Sequence, residues 1–535
     1  MATVSVSTVI SARGGTATSW AAQQITFSIP GTTSFWTGYL STDEQSNADF
    51  GVLNTAQAAS FRTAIGAWDS LIARSIVETN DLASPGAIRV AFTDIQDYGV
   101  GQTTSAYAYG PVASSLPGYA GDVWIDEVYK SVSFASGTYE YSLLLHELGH
   151  SLGLKHPHEG ATRLPTEFDS ERYTVMSYES LPDGVWWTFS TVGTSLRSTP
   201  ANVYPTTPML LDVIAIQSRY GADLASNSGA STYSWGDALP ILQNIYDTGG
   251  VDLFDLSAHT RSSIVDLTPG AFSSIARFTT AEQIAYWTGL HPNYGSFIPN
   301  TLNAANTYTW SNNVSTSLDT VIENVIAGSG ADTVTGNSAA NALYGRAGND
   351  SISGGDGLDF LRGDDGNDYI TGGADFDDTH GNAGNDTVMG GLGDDWVVGG
   401  KDQDLLYGED GGDIVLGNLG DDTCDGGAGN DVVRGGQGND VVLGGAGADF
   451  VSGDRGNDTL TGGAGADIFH TFDEAGWDYV TDFRPADGDR VQLLLGATYT
   501  LTQIGADLVV NVGEGRMVLL GVQATSLQSG WIFNG

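Results

Sequence analysis

An aspartate returns at every ninth position from Asp332 to Asp467, and no other feature of this 535-residue chain limits its fold so strongly. The series runs Asp332, Asp350, Asp359, Asp368, Asp377, Asp386, Asp395, Asp404, Asp413, Asp422, Asp431, Asp440, Asp449, Asp458, Asp467, with Asn341 in the one remaining place: sixteen units without a slip. Two residues after each of these, the side chain is apolar, from Val334 and Leu343 to Leu460 and Phe469; Thr379 and Cys424 are the exceptions. A flexible Gly/Asp linker has no reason to hold an apolar residue in phase over such a length. The pattern predicts short strands, one per unit, whose apolar residue points inward, stacked into a parallel β-roll with a thin aliphatic core.

The unit, as in "GGQGNDVVL", is G-G-x-G-x-D-x-U-x with U apolar, the known calcium-binding RTX repeat. Glycine permits the tight turns and exposes carbonyls, and one aspartate per turn adds a hard anionic oxygen of the kind calcium prefers. Residues 331–470 hold 27 acidic and 5 basic side chains, a net charge of −22, which is half the −44 of the whole chain. Without a cation such a region repels itself and is expected to stay unfolded, so calcium should supply folding free energy, outside the cell where calcium is plentiful. The expected calcium ligands are Asp332, Asp350, Asp359, Asp368, Asp386, Asp395, Asp413, Asp422, Asp431, Asp440, Asp449, Asp458 and Asp467. Asp375 and Asp402 replace the third glycine of their units and Asn341 replaces the aspartate, so those turns are expected to bind weakly or not at all. Cys424 is expected to serve as a small inward-facing apolar residue.

The acidic balance, 64 acidic against 20 basic side chains, argues against nucleic acid and anionic membrane as partners. The single cysteine allows no intramolecular disulfide. The opening "MATVSVSTVISARGGTATSW" has neither a basic n-region nor a long apolar h-region, so no cleavable export signal is expected. No run of about eighteen apolar residues predicts a membrane span.

The first 225 residues have an α/β texture. Residues 55–79 carry Phe61, Ile65, Trp68 and Ile72 on one helical face, and 207–223 predict another helix, with Pro208 near its start and Gly221 just past its end. "AIRVAFT" at 87–93, "TSAYAYGP" at 104–111 and "DVWID" at 122–126 read as strands. Residues 226–326 lose helical periodicity and predict a β-rich connecting segment.

"HELGHSLGLKH", residues 146–156, crowds three of the chain's eight histidines beside one glutamate. On a helix, His146 and His150 share a face, with Leu144, Leu145, Leu148 and Leu152 opposite. Gly153 can end the helix in the left-handed conformation and return the chain so that His156 joins the other two. Three neutral imidazoles around one catalytic zinc leave a coordination position for water, whose pKa falls to about 7. Glu147, beside His146, can take a proton from that water and pass it to a leaving amine. His158 competes as third ligand, but the spacing H-E-x-x-H-x-x-G-x-x-H favours His156, and the methionine turn that this pattern calls for is supplied by "YTVMSYES" with Met176.

With these motifs the chain resembles the serralysins, zinc proteases of the metzincin clan with RTX repeats. "HELGHSLGLKHP", "VMSY", "TPMLLDVIAIQSRYGA" and "IENVIAGSGADTVTGN" are similar to that family's zinc helix, Met-turn, domain-closing helix and entry into the roll. The resemblance implies that Tyr178 binds zinc or stabilises an oxyanion, and that "TSAYAYGP" is an edge strand holding an extended peptide. It also implies export by a type I secretion apparatus reading an uncleaved C-terminal signal.

The expected organisation is multidomain. A metzincin-type α/β (α+β) catalytic domain over 1–225 is followed by the connecting segment, an RTX parallel β-roll over 327–470, and a C-terminal β segment over 471–535 with the export signal; Asp478 and Asp482 there are further calcium candidates. The expected function is a secreted zinc endopeptidase acting on proteins or peptides, with one catalytic zinc, several structural calcium ions and Glu147 as general base and acid. The alternatives are a narrow processing protease and a calcium-dependent surface or matrix protein whose protease-like domain only binds.

Overall fold

A computed structural model describes residues 5–13, 19–21, 24–32, 34, 36, 50–95, 104–111, 119–181, 184–236, 240–304 and 307–535. The chain divides into two units: residues 1–229, 237–250 and 269–320 in the first, and 230–236, 251–268 and 321–535 in the second.

The first unit is the α/β region. Strands β1 (Ile25–Ser28), β2 (Ile76–Glu78), β3 (Ile88–Thr93), β4 (Ala106–Ala108) and β5 (Val123–Asp126) form one sheet in the order β2-β1-β3-β5-β4. Four run parallel, and β4 lies antiparallel to β5 at the edge. Every side chain of β3 and β5 is buried, as continuous apolar runs at the centre of a covered sheet require.

Four helices belong with this sheet: α1 (Val6–Arg13), α2 (Thr55–Asp69), α3 (Tyr139–Ser151) and α4 (Leu210–Tyr220). Asn54 and Gln57 close a capping box at the start of α2, which buries Phe61, Ala64, Ile65 and Trp68. The helix stops before Ile72, which instead bridges to Ala222, so the expected helical face is one turn too long. Trp68 Nε1 donates to the Leu145 carbonyl at 3.2 Å and fastens α2 to α3. Helix α3 ends ahead of Gly153, whose φ of +97° reverses the chain, and α4 ends before Gly221 at φ +79°.

The stretch 226–326, expected as a β-rich connecting segment, holds more than strands and turns. It contains helices α5 (Thr280–Leu290) and α6 (Phe297–Ala304), which pack on the hairpin of β6 (Val185–Val192) and β7 (Ser195–Asn202) through Phe189, Leu196, Ile298 and Leu302. The stretch is also shared between the two units rather than forming a segment of its own.

The second unit is a parallel β-solenoid of two thirteen-stranded sheets, whose strands alternate between the sheets along the chain. Equivalent residues pair eighteen positions apart, as Leu343 with Leu361 and Ile352 with Ile370. The inward apolar residues from Val334 to Phe469 are at most 1% exposed, and each such burial is worth about 1.5–3 kcal/mol. Cys424 is buried among them, its thiol pushed well up by burial, and Thr379 fills its place by donating to the Trp396 carbonyl at 3.0 Å. The coils begin before the repeat motif, at Thr232–Ser234, and continue to Ile532–Asn534. An antiparallel meander, Thr500–Ile504, Asp507–Val512 and Gly515–Leu519, borders one sheet and limits its open edge.

Candidate active site

Helix α3 carries His146 and His150 on one face, and the turn at Gly153 brings in His156. The Nε2 atoms of His146 and His156 lie 3.2 Å apart, and those of His150 and His156 3.0 Å. Each outer nitrogen has an acceptor: His146 Nδ1 donates to the Val175 carbonyl at 2.8 Å, His150 Nδ1 to the Leu154 carbonyl at 2.9 Å, and His156 Nδ1 to Glu159 Oε1 at 2.8 Å. Carbonyls only accept, so the protons sit on Nδ1 and the three Nε2 lone pairs converge. Converging lone pairs repel unless a cation stands between them. Tetrahedral zinc with Zn–N of about 2.0–2.1 Å requires N–N separations of about 3.3–3.4 Å, near those observed. The residues therefore fit a zinc ion.

Glu147 is 4% exposed, its Oε2 is buried without a hydrogen-bond partner, and burial pushes its carboxyl up to about 8. Tyr178 lies over the histidines, its ring 5.3 Å from that of His146 and 4.4 Å from that of His156. Desolvation, then the charge of Glu147, pushes its hydroxyl up to about 12, so it remains a donor at neutral pH. His158 stacks on His156 at 5.3 Å and turns Nδ1 toward Asp169 at 3.7 Å. His156, His158 and Glu159 make a second grouping close enough to share a cation, but Glu159 is already engaged with the far nitrogen of His156. The first trio is the better metal site because all three of its lone pairs meet.

Met176 is fully buried beneath α3, against Gly149. Asp212, at the start of α4, holds the turn: its carboxylate accepts from Thr174 Oγ1 at 2.6 Å, Val175 N at 2.7 Å and Met209 N at 2.9 Å. A cavity of about 470 Å³ opens beside the histidines, between β4, α3 and the turn, lined by Ser105, Ala106, Ser142, Leu143, Glu147 and Glu171 among others. Sequence reasoning missed Glu159, Glu171 and Asp212. Only Glu159, three residues beyond His156, had a local signal.

In the solenoid the repeat aspartates form two ladders. From Asp332 to Asp449 each backbone N–H donates to the Oδ1 of the aspartate eighteen residues on, as Asp350 to Asp368 at 2.8 Å and Asp377 to Asp395 at 2.8 Å. The Oδ2 atoms from Asp350 to Asp467 are buried without a hydrogen-bond partner. The glycine five residues before each leaves room for that oxygen, since a Cβ there would stand 2.1–2.7 Å from it. Burial pushes these carboxyls up, to about 7 at Asp350 and about 8 at Asp404. Orphaned, crowded anionic oxygens of this kind fit calcium. Asp377 and Asp404 share the arrangement, because Asp375 and Asp402 adopt φ of +71° and +73° in place of glycine. Asp332 stands apart, both oxygens accepting from backbone N–H groups of Ser263 and Gly328. Asp478 extends a ladder, while Asp482 accepts from the Gly462 and Gly463 amides.

Comparison with known proteins gives two kinds of match. The RTX calcium-binding nonapeptide repeat family matches residues 322–352, 344–379, 380–415, 416–451 and 443–471. The chain is serralysin-like. It is 28% identical over 289 residues to the metalloprotease AprA of Pseudomonas entomophila, covering 48% of this chain and 51% of that protein. It is 28% identical over 323 residues to a serralysin of Photorhabdus laumondii, covering 55% and 56%, and 27% identical over 261 residues to that of Proteus mirabilis, covering 45% and 43%. This serralysin-like chain thus spans about half the length of the relatives it matches. Among the described residues no helix is long and apolar enough to cross a membrane.

Proposed function

We propose that the chain is a secreted, calcium-stabilised zinc endopeptidase. The observation that carries the reading is the meeting of the His146, His150 and His156 lone pairs beside the partnerless oxygen of Glu147. A zinc ion held by these three imidazoles supplies Lewis acidity toward a peptide carbonyl and toward water at neutral pH.

The remaining chemistry falls to the chain. Glu147 takes the proton of the attacking water on its carboxylate and returns it to the leaving amine nitrogen. Its buried, water-poor setting favours the protonated form that the second transfer needs. Tyr178, through its hydroxyl, donates to the oxygen that gains charge as water adds. Among the described residues edge strand β4 pairs with β5 alone, so its other side can pair with an extended substrate and hold it across the cavity. The aspartate ladders would bind several calcium ions, which fold the solenoid in the extracellular medium; before it meets calcium, the unfolded chain can pass through a type I apparatus.

Hydrolysis of an unfolded protein substrate tests the reading. Calcium plus trace zinc should support cleavage. A zinc chelator or Glu147→Ala should abolish it while the circular dichroism spectrum stays unchanged. A folded, zinc-loaded Glu147→Ala chain that cuts like the native one would overturn the assignment.

A further inference from the structure

The cavity beside the histidines ends in a carboxyl group that the catalytic reading does not use. Glu171 lies at its wall, on the loop before the methionine turn, with its amide donating to the Glu179 carbonyl at 3.0 Å. Its Oε2 is buried and has no hydrogen-bond partner. A carboxylate in that position pays for desolvation and receives nothing in return. Among the described residues lining the cavity there is no lysine or arginine; the polar side chains are hydroxyls, the His146 imidazole and the two carboxyls of Glu147 and Glu171. The volume, about 470 Å³, is ample for a long side chain, and Leu143 and Val175 offer apolar walls for a methylene stem.

We propose that this cavity is a specificity pocket for a basic side chain, and that Glu171 selects lysine or arginine at one position next to the bond that is cut. The inference rests on the proteolytic reading for the word "cut", but the pocket itself stands on its geometry. An aliphatic side chain entering here would leave the Glu171 oxygen buried and unmatched, whereas an ammonium or guanidinium supplies both the missing donor and the opposite charge. Burial holds the Glu171 carboxyl up near about 8, and an incoming cation would draw it back into the ionised form. Glu147 lines the same space, so a basic side chain meets a second carboxyl acceptor there.

The test is a positional peptide series in which lysine, arginine, norleucine or glutamate occupies each site in turn, with products sequenced. The native chain, loaded with calcium and zinc, should prefer the basic residues over norleucine by about 10-fold or more in kcat/KM, at a single position adjoining the cut. Glu171→Gln should remove that preference while cleavage of the norleucine peptide stays within about 3-fold, and Glu171→Leu should reverse it. Equal cleavage of lysine and norleucine peptides, or a basic preference that survives Glu171→Gln, would overturn the pocket and leave the protease reading standing. Binding of the same peptides to the Glu147→Gln chain, followed by fluorescence anisotropy, gives an answer that needs no turnover. Tighter binding of the lysine peptide that depends on Glu171 supports the pocket even if nothing is cut, in which case the proteolytic reading is the one that fails; equal binding overturns the pocket.

Discussion

A Cβ placed on Gly149 would stand 2.4 Å from the Met176 sulfur and 3.3 Å from the Trp68 ring. The glycine inside the histidine motif is therefore a packing requirement, set by the methionine below it. Alanine is the better helix former by about 1 kcal/mol, but overpacking a buried contact costs about 1–3 kcal/mol, so the steric effect should win. Gly149→Ala is expected to destabilise the first unit by about 1–2 kcal/mol and to weaken zinc binding, because a displaced Met176 moves Val175, whose carbonyl orients His146. Denaturant unfolding and zinc competition with a chromophoric chelator measure the two effects. A variant more stable than the native chain, with unchanged zinc affinity, would show that the sulfur simply moves aside.

The same turn is held from the other side by Asp212. Its carboxylate satisfies three donors in a site with no exposure to water. Asp212→Ala strands all three and should cost about 2–4 kcal/mol. The zinc site should loosen with it, by about 10- to 100-fold in affinity, although Asp212 touches none of the histidines. Loss of stability with zinc affinity intact would mean that the turn keeps its geometry without the clamp.

What could be read in advance follows from how local each signal is. The convergence of the three histidines was legible because His146, His150 and His156, the leucines and the terminating Gly153 all fall within a few turns of one another. The roll was legible because each nine-residue unit repeats its own evidence. The partners of the imidazoles were not, since the Val175 and Leu154 carbonyls are main-chain atoms that any residue could supply. Glu171 and Asp212 reach the site only through the tertiary fold. Helix α5 hid because only Gln283 is buried along it, which erases the periodicity, yet its Thr279 and Glu282 do form a capping box that the sequence spells out. The first coils of the solenoid lack the Gly-Asp signature and are recruited by the strands stacked on them.

At the sheet, Arg89 grips Asp81 with two bonds of 2.8 Å and stacks on Trp36 at 3.7 Å, and both charged side chains are almost wholly buried. Burial alone would raise the Asp81 carboxyl, but Arg89, Ser28 and Ser34 together hold it below its ordinary value. A carboxyl lowered in the folded state contributes stability that is complete above the unfolded pKa of about 4 and is lost as pH falls through the folded one. The first unit should therefore weaken below about pH 4 with a steeper slope than in an Asp81→Asn variant. At neutral pH that variant should be less stable by about 3–5 kcal/mol, because it leaves Arg89 buried without its counter-charge. Unfolding free energies between pH 3 and about 7 decide it; parallel slopes for the two chains would remove Asp81 from the acid response.

The aspartate ladders have the opposite sign. Asp350, Asp359, Asp386 and Asp404 are raised to about 7, 6, 7 and 8, first by burial and then, against the lowering effect of backbone N–H donors, by the charge of neighbouring aspartates. A carboxyl raised in the folded state binds its proton more tightly there, so its contribution to the calcium-free solenoid is complete below the unfolded pKa of about 4 and is lost as pH rises from there through the folded values of about 6 to 8. Removing calcium with a chelator at pH 7.5 should unfold the solenoid, seen as loss of its β-type circular dichroism, and restoring millimolar calcium should refold it. Acidification toward about pH 5 in the continued presence of chelator should recover part of the β signal, since protons then do some of the neutralising that calcium does at neutral pH. A solenoid that stays folded in chelator at pH 7.5 would show that the aliphatic core and the backbone ladders outweigh the repulsion of the buried carboxylates.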